Sequence, residues 1–286
     1  MRILITGRHG QVARELQLTL DGTAEVIALG REQLDLSDSA QIRRQVRSLC
    51  PELIINAAAY TAVDQAESEP EQAFALNATA PGVLAEEAAA LGVPLIHYST
   101  DYVFDGSKPS PYQEDDAPNP LGVYGQSKLA GEQAIQAVGG AHLILRTSWV
   151  YSLHGRNFLL TMQRLLQERE ELRVVDDQIG APTWAGSIAQ ATAQLIERWQ
   201  QGNPHWGTYH FSCQGETSWF GLASAIAERL KAEGKPYARL VPIPSSAYPT
   251  PAPRPLNSRL ACTRLQADWG VVLPDWHAAL LDCLRG

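Results

Sequence analysis

M-R-I-L-I-T-G-R-H-G-Q-V-A-R-E-L, residues 1–16, runs a short apolar strand straight into a glycine-spaced turn and then into a helical pattern. Residues 2–6 are strand-like, Gly7 and Gly10 follow at once, and from Gln11 the apolar positions recur at helical spacing. Glycine lets the chain turn tightly and lets a phosphate approach the backbone, and the helix N-terminus behind it favours negative charge. Ala13 takes the third small position, where the helix must pack closely on the strand. Alone the stretch is a strand–turn–helix. As the first turn of a strand–helix–strand unit it reads as a dinucleotide site.

The following chain supplies that unit. Residues 25–29, 53–56, 94–99 and 142–147 are further apolar, strand-like runs, separated by amphipathic stretches with helical periodicity. Strands buried on both faces and alternating with helices predict a parallel, doubly wound α/β sheet of Rossmann type. One more strand is expected just before L-D-L-S-D (34–38). After about residue 150 the rhythm changes. Helices are expected near 157–169, 183–200 and 217–233, and short strands near 172–176 and 207–212. The proline-dense segment 241–255 reads as a fixed irregular loop, because a helical C-terminal segment follows it. Two lobes are therefore predicted. Residues 1–150 form the dinucleotide-binding domain, with 183–200 packing back onto it, and 151–286 form mainly a smaller α/β substrate lobe.

Composition narrows the function. A formal charge of −8 over 286 residues lacks the basic footprint of a nucleic-acid binder. No apolar run is long enough to span a membrane, and the N-terminus reads as a strand and not as a signal peptide. The four cysteines are scattered without a C-x-x-C, and no H-E-x-x-H occurs, which predicts a reduced cytoplasmic protein without structural zinc.

Ligands of a doubly wound sheet bind beyond the carboxyl ends of its strands. The second strand ends A-L-G-R-E, and Arg31 stands where NAD enzymes carry a carboxylate. A guanidinium there can pair with a 2′-phosphate, so NADPH is expected; Glu32 next door keeps NADH possible. Asp35 and Leu36 are expected against the adenine. N-A-A-A-Y-T (56–61), Y-S-T-D-Y-V-F-D-G (98–106) and R-T-S-W-V-Y (146–151) follow later strands. Tyr124 and Lys128, in G-V-Y-G-Q-S-K, share one helical face at the same rim. Thr100, Tyr124 and Lys128 make a set for carbonyl reduction: a hydroxyl to position the carbonyl oxygen, a phenol to protonate the forming alkoxide, and a cation to lower the phenol's pKa.

T-G-x-x-G, N-A-A-A, S-T-D and Y-G-x-S-K, in this order, resemble the extended short-chain dehydrogenase/reductases. The stretches N-A-A-A-Y-T-A-V-D-Q-A-E-S-E-P, H-Y-S-T-D-Y-V-F-D-G, D-Q-I-G-A-P-T and S-A-Y-P-T-P-A-P-R-P-L-N-S-R-L carry the resemblance further, to their dTDP-4-dehydrorhamnose reductase family. It implies NADPH-dependent reduction of the C4 ketone of a nucleotide sugar. Thr100, Tyr124 and Lys128 are then catalytic. Gly10, Gln11, Val12, Asp35, Leu36, Ala59, Tyr60 and Thr61 line the cofactor, and Asp101, Tyr102, Trp149, Asn157, Arg254 and Asn257 face the substrate beside Thr100. The related dehydratases follow the threonine with Asp and then Glu; Asp101–Tyr102 lacks the second carboxylate, which favours reduction over elimination. Some family members are metal-bridged dimers through an acidic residue shortly after A-P-T. Gly186 stands at that place, which puts a bridging magnesium in doubt and predicts a monomer or weak homodimer. Another nucleotide-sugar ketoreductase or epimerase, or a non-catalytic subunit of the methionine adenosyltransferase type, shares much of this pattern. His97 reads as a core histidine, and Trp149 and Arg254 each have a purely structural alternative.

Overall fold

The computed structural model describes residues 1–202 and 204–285. Its first half runs β1 (Arg2–Thr6), α1 (Gln11–Thr19), β2 (Glu25–Leu29), α2 (Ser39–Leu49), β3 (Leu53–Asn56), α3 (Ala80–Leu91), β4 (Leu95–Thr100), α4 (Val123–Val138) and β5 (His142–Thr147). The second half adds α5 (Phe158–Glu168), β6 (Glu171–Val175), α6 (Ala185–Gln200), β7 (Gly207–His210), α7 (Trp219–Ala232), β8 (Arg239–Ile243), α8 (Thr263–Trp269) and α9 (Trp276–Cys283). No described helix is long and apolar enough to cross a membrane.

The central sheet has the order β7-β5-β4-β3-β1-β2 and is parallel throughout. Successive residues of β1 enter different cores: Ile3 and Ile5 join one, Leu4 the other. That alternation is why three successive residues of the strand are apolar. Strand order reverses between β1 and β3, and this switch point opens the crevice in which such sheets bind nucleotides.

Two expectations change. No strand precedes Leu34. The chain turns there instead, with the Gly30 carbonyl accepting from the Gln33 and Leu34 amides. Arg31, Glu32 and Gln33 are exposed and polar and offer a sheet nothing to bury. Asp35 and Leu36 thus lie in the turn between β2 and α2. The sixth strand comes from the second half: β7 pairs in parallel with β5 and extends the sheet at its far edge.

Other late segments return to the first core as well. α6 packs on α1, and Leu265, Trp269, Val271 and Leu273 share a core with Ile3 and Leu145. A separate core, built from Tyr151, Leu159, Leu166, Leu222, Ile226 and Leu230, holds α5 and α7 together beside the β6–β8 ribbon. The proline-dense segment is tied down: the Ala252 amide and the Arg254 guanidinium both donate to Asp64 Oδ1, at 3.2 and 2.8 Å.

Candidate active site

At the β1–α1 turn, Gly7 adopts φ +75°, and a Cβ there would lie 2.9 Å from Ala58 Cα. Only glycine fits both the dihedral and the space. The Gly10 amide closes the turn onto the Gly7 carbonyl at 2.7 Å, leaving the N-terminus of α1 facing the crevice. Gly7, Arg31, Asp35, Leu36 and Ala59 line a cavity of about 140 Å³, together with Gly30, Leu34, Ala58 and Leu76. Arg31 is exposed at its rim and makes no hydrogen bond or ion pair among the described residues. The Ser37 hydroxyl and amide hold the Asp35 carboxyl below its ordinary range, and nearby Arg31 adds to this. Glu32 turns toward His9 Nε2, 3.5 Å away.

The remaining expected cofactor residues divide. Val12 is half-buried beside this turn, whereas the Gln11 side chain reaches the second lobe, accepting from Ser152 Oγ and Asn157 Nδ2 at 3.0 and 2.8 Å. Tyr60 is held from behind. Its amide donates to Asn77 Oδ1, Asn77 Nδ2 returns a bond to its carbonyl, and its hydroxyl donates to Glu69. Thr61 is exposed.

Thr100 ends β4, where its Oγ1 accepts from the Tyr102 amide and donates to Asp101 Oδ1. Tyr124 begins α4 and meets the Tyr102 ring edge-on at 5.5 Å. Burial pushes its phenol up to about 12, while a hydrogen bond with Thr100 pulls the other way. The sequence predicts that Lys128 lowers this group. In the structure Lys128 Nζ instead points to β4, donating to the Tyr98 carbonyl at 2.6 Å and lying 3.1 Å from His97 Nε2. Burial lowers its own pKa to about 8. Two glycines seat α4 here. A Cβ at Gly125 would overlap the Tyr102 carbonyl, and one at Gly131 would overlap the Asn77 carbonyl.

Of the expected substrate residues, Asp101 is buried, with Oδ2 unpartnered among the described atoms and its carboxyl raised to about 6 by burial. The Arg254 guanidinium lies 5.9 Å from the Tyr102 ring centroid. Trp149 has φ +48°, stacks on Trp219 at 3.6 Å and rests on Gly180, where any Cβ would meet the indole. Asn157 and Asn257 are not brought to this cluster with free polar atoms. Asn157 caps α5 and donates to Gln11 and to the Ser152 and His154 carbonyls. Asn257 donates to the Lys108 and Ser110 carbonyls and accepts from Arg259. Side-chain counting along a motif gives the location of these amides but not where their hydrogen bonds go.

Sequence reasoning missed three supports: Asn77, which fixes the 59–61 loop; Asp64, which anchors Arg254; and His97, which touches Lys128. For His97 a signal was present. Thr6 and Asn56 end the apolar runs of β1 and β3, and His97 interrupts that of β4, in three neighbouring strands.

A family model described as the RmlD substrate binding domain matches residues 1–286. The chain is 47% identical to a dTDP-4-dehydrorhamnose reductase of Burkholderia thailandensis, covering 100% of this chain and 98% of that protein. It is 46% identical to one of Escherichia coli K12, covering 100% and 97%. Among solved structures it resembles a dTDP-4-dehydrorhamnose reductase from Bacillus anthracis in complex with NADP, with a TM-score of 0.93, 35% identity and coverage of 99% and 98%. A UDP-glucose 4-epimerase from Thermus thermophilus, at 22% identity and a TM-score of 0.80 over 100% and 99% of the chains, shares the fold.

Proposed function

The chain belongs to the dTDP-4-dehydrorhamnose reductase family, and we propose that it carries out that reduction with Tyr124 as its proton donor, converting the C4 ketone of dTDP-4-dehydro-L-rhamnose to the alcohol of dTDP-L-rhamnose. The observation that carries the roles is that Thr100 ends β4 while Tyr124, edge-on to the Tyr102 ring, begins the helix packed on the turn that follows, at the strand ends where the glycine cradle lies.

The cradle suits NADPH: Gly7 leaves room at Ala58 that a side chain would fill, and Arg31 stands unpaired at the cavity rim. When bound, NADPH supplies the hydride that reduces the carbonyl carbon. Thr100 holds the carbonyl oxygen, and Tyr124 gives it a proton as negative charge develops. A phenol near 12 suits this direction, because it keeps its proton at neutral pH until the oxygen becomes the stronger base. Lys128 anchors the ribose side and supplies positive charge. Tyr102, in place of a second carboxylate, leaves water elimination without its base. Arg254, held by Asp64 beside Tyr102, faces the diphosphate, and Trp149 the sugar.

Gly186 offers no side-chain ligand for a metal bridge, which supports a monomer or weak homodimer; sedimentation with and without magnesium tests this. The unpaired cysteines accord with a cytoplasmic location. The reductase assignment is tested by following NADPH oxidation with dTDP-4-dehydro-L-rhamnose generated in situ. Turnover that yields dTDP-L-rhamnose is expected, and absence of turnover by folded, NADPH-binding protein overturns it.

A further inference from the structure

Thr6, Asn56 and His97 are register partners on β1, β3 and β4, so they form one rung across the middle of the sheet. All three are essentially inaccessible, as is Lys128. Thr6 Oγ1 donates to Asn56 Oδ1 at 2.6 Å, Asn56 Nδ2 lies 2.9 Å from His97 Nδ1, and His97 Nε2 lies 3.1 Å from Lys128 Nζ. Burying such a row costs desolvation that apolar residues would not incur. The row ends on the lysine of the active site.

Its hydrogen-bond direction has a chemical consequence. With Thr6 donating to Oδ1, Asn56 must donate through Nδ2, so His97 accepts at Nδ1 and carries its proton on Nε2. That N–H points at Lys128 Nζ, which can accept it only as a neutral amine. The amine still donates to the Tyr98 carbonyl. Turning the Asn56 amide over reverses the bonds. Oδ1 then accepts from Nδ1–H, and Nε2 accepts from an ammonium. The two directions of the row correspond to the two charge states of the lysine.

We propose that Asn56 and His97 are positioning residues whose shared hydrogen-bond direction sets the charge of Lys128, neutral in one direction and ammonium in the other. The functional consequence rests on the reductase reading, in which the ammonium serves Tyr124 and the cofactor ribose; the coupling itself does not. Tyr124 and Glu132 lie on the helix of Lys128 and Arg146 on β5; the elements packed against that helix carry Asp101 and Tyr102 after β4, Asp64 and Glu71 in the short helices of 63–74, and Glu86 and Glu87 on α3. Glu132, bidentate to Arg146, is the carboxylate whose charge bears on Lys128. His97 itself stays neutral, because burial and the adjacent Lys128 both oppose a second ring proton.

The test uses the free full-length protein, with ¹³C at lysine Cε and ¹⁵N in the histidine rings. The chain has only four lysines, and loss of one signal in Lys128→Arg and of one ring in His97→Gln assigns the pair. The expected result is that the His97 proton moves from Nδ1 to Nε2 over the same pH range in which Lys128 loses its charge. In Asn56→Asp, whose carboxylate only accepts, His97 should stay protonated at Nδ1 and the lysine should titrate at least about one pH unit higher. A His97 tautomer that stays fixed while wild-type Lys128 titrates overturns the proposal, whatever the fate of the variant. Neither measurement needs turnover, so a protein inactive on the sugar ketone could still show the coupling, and an active reductase could still lack it.

Discussion

Replacing Gly125 with alanine probes how the helix carrying Tyr124 and Lys128 is seated. A Cβ at this position would lie 2.9 Å from Pro120 Cβ and closer still to the Tyr102 carbonyl oxygen. Carbon atoms in contact prefer about 3.5–4.0 Å. Because the carbonyl belongs to backbone, no rotamer change relieves the overlap, and α4 must retreat by about 1 Å from the Asp101–Val103 turn. Tyr124 is the preceding residue, so its phenol retreats from Thr100 with it. Overpacking of this kind costs about 1–3 kcal/mol of stability, whereas a displacement of about 1 Å at reacting groups costs about 10²-fold in rate. Thermal unfolding should therefore show a drop of a few degrees, while steady-state NADPH oxidation shows kcat reduced about a hundredfold. NADPH affinity, set largely at the Gly7 cradle, should change much less. Wild-type kcat and melting temperature in Gly125→Ala would refute the claim that close backbone contact here sets the catalytic geometry.

Asp101 gives a pH prediction. Its folded pKa of about 6 exceeds the ordinary 3.8, so the stability it contributes is full below about 3.8 and is lost as pH rises through 6, about 3 kcal/mol in all. Asp101→Asn should melt a few degrees above wild type at pH 7.5 and lose that advantage below pH 4; equal differences at both pH values would contradict the burial argument. Arg31→Ala should weaken NADPH binding about 10–100-fold and leave NADH binding nearly unchanged, measured by quenching of protein fluorescence. Glu132→Gln strips the Arg146 guanidinium of its buried partner and should cost about 3–5 kcal/mol in chemical denaturation; a loss below 1 kcal/mol would show that the pair is dispensable.

The parts of the fold that were legible in the sequence are those decided by local pattern. The glycines at 7 and 10 follow a strand whose middle three residues, Ile3, Leu4 and Ile5, are all apolar, and only a sheet covered on both faces makes such a run favourable. β7 was visible as a strand but not as a member of the central sheet, because its partner β5 lies some sixty residues earlier and pairing carries no local mark. The strand expected before Leu34 failed because Arg31, Glu32 and Gln33 are exposed and polar, and the chain there closes a turn onto the Gly30 carbonyl. At the site, the four-residue spacing of Tyr124 and Lys128 was readable from helical geometry. That the amino end turns toward the Tyr98 carbonyl and His97 was not, since it depends on where neighbouring strands place their polar atoms. Asn157 and Asn257 show the same limit, because a motif marks a position and not the hydrogen bonds an amide will make.

The most direct measurement uses NADPH deuterated at the transferable position of nicotinamide C4, with dTDP-4-dehydro-L-rhamnose as substrate, and compares wild type with Tyr124→Phe. Wild type should place deuterium on C4 of the rhamnose ring. Tyr124→Phe, still folded and still binding NADPH, should lose about 10²–10⁴-fold in turnover. Deuterium elsewhere in the product, or near-normal turnover without the phenol, would contradict a reduction in which Tyr124 supplies the proton.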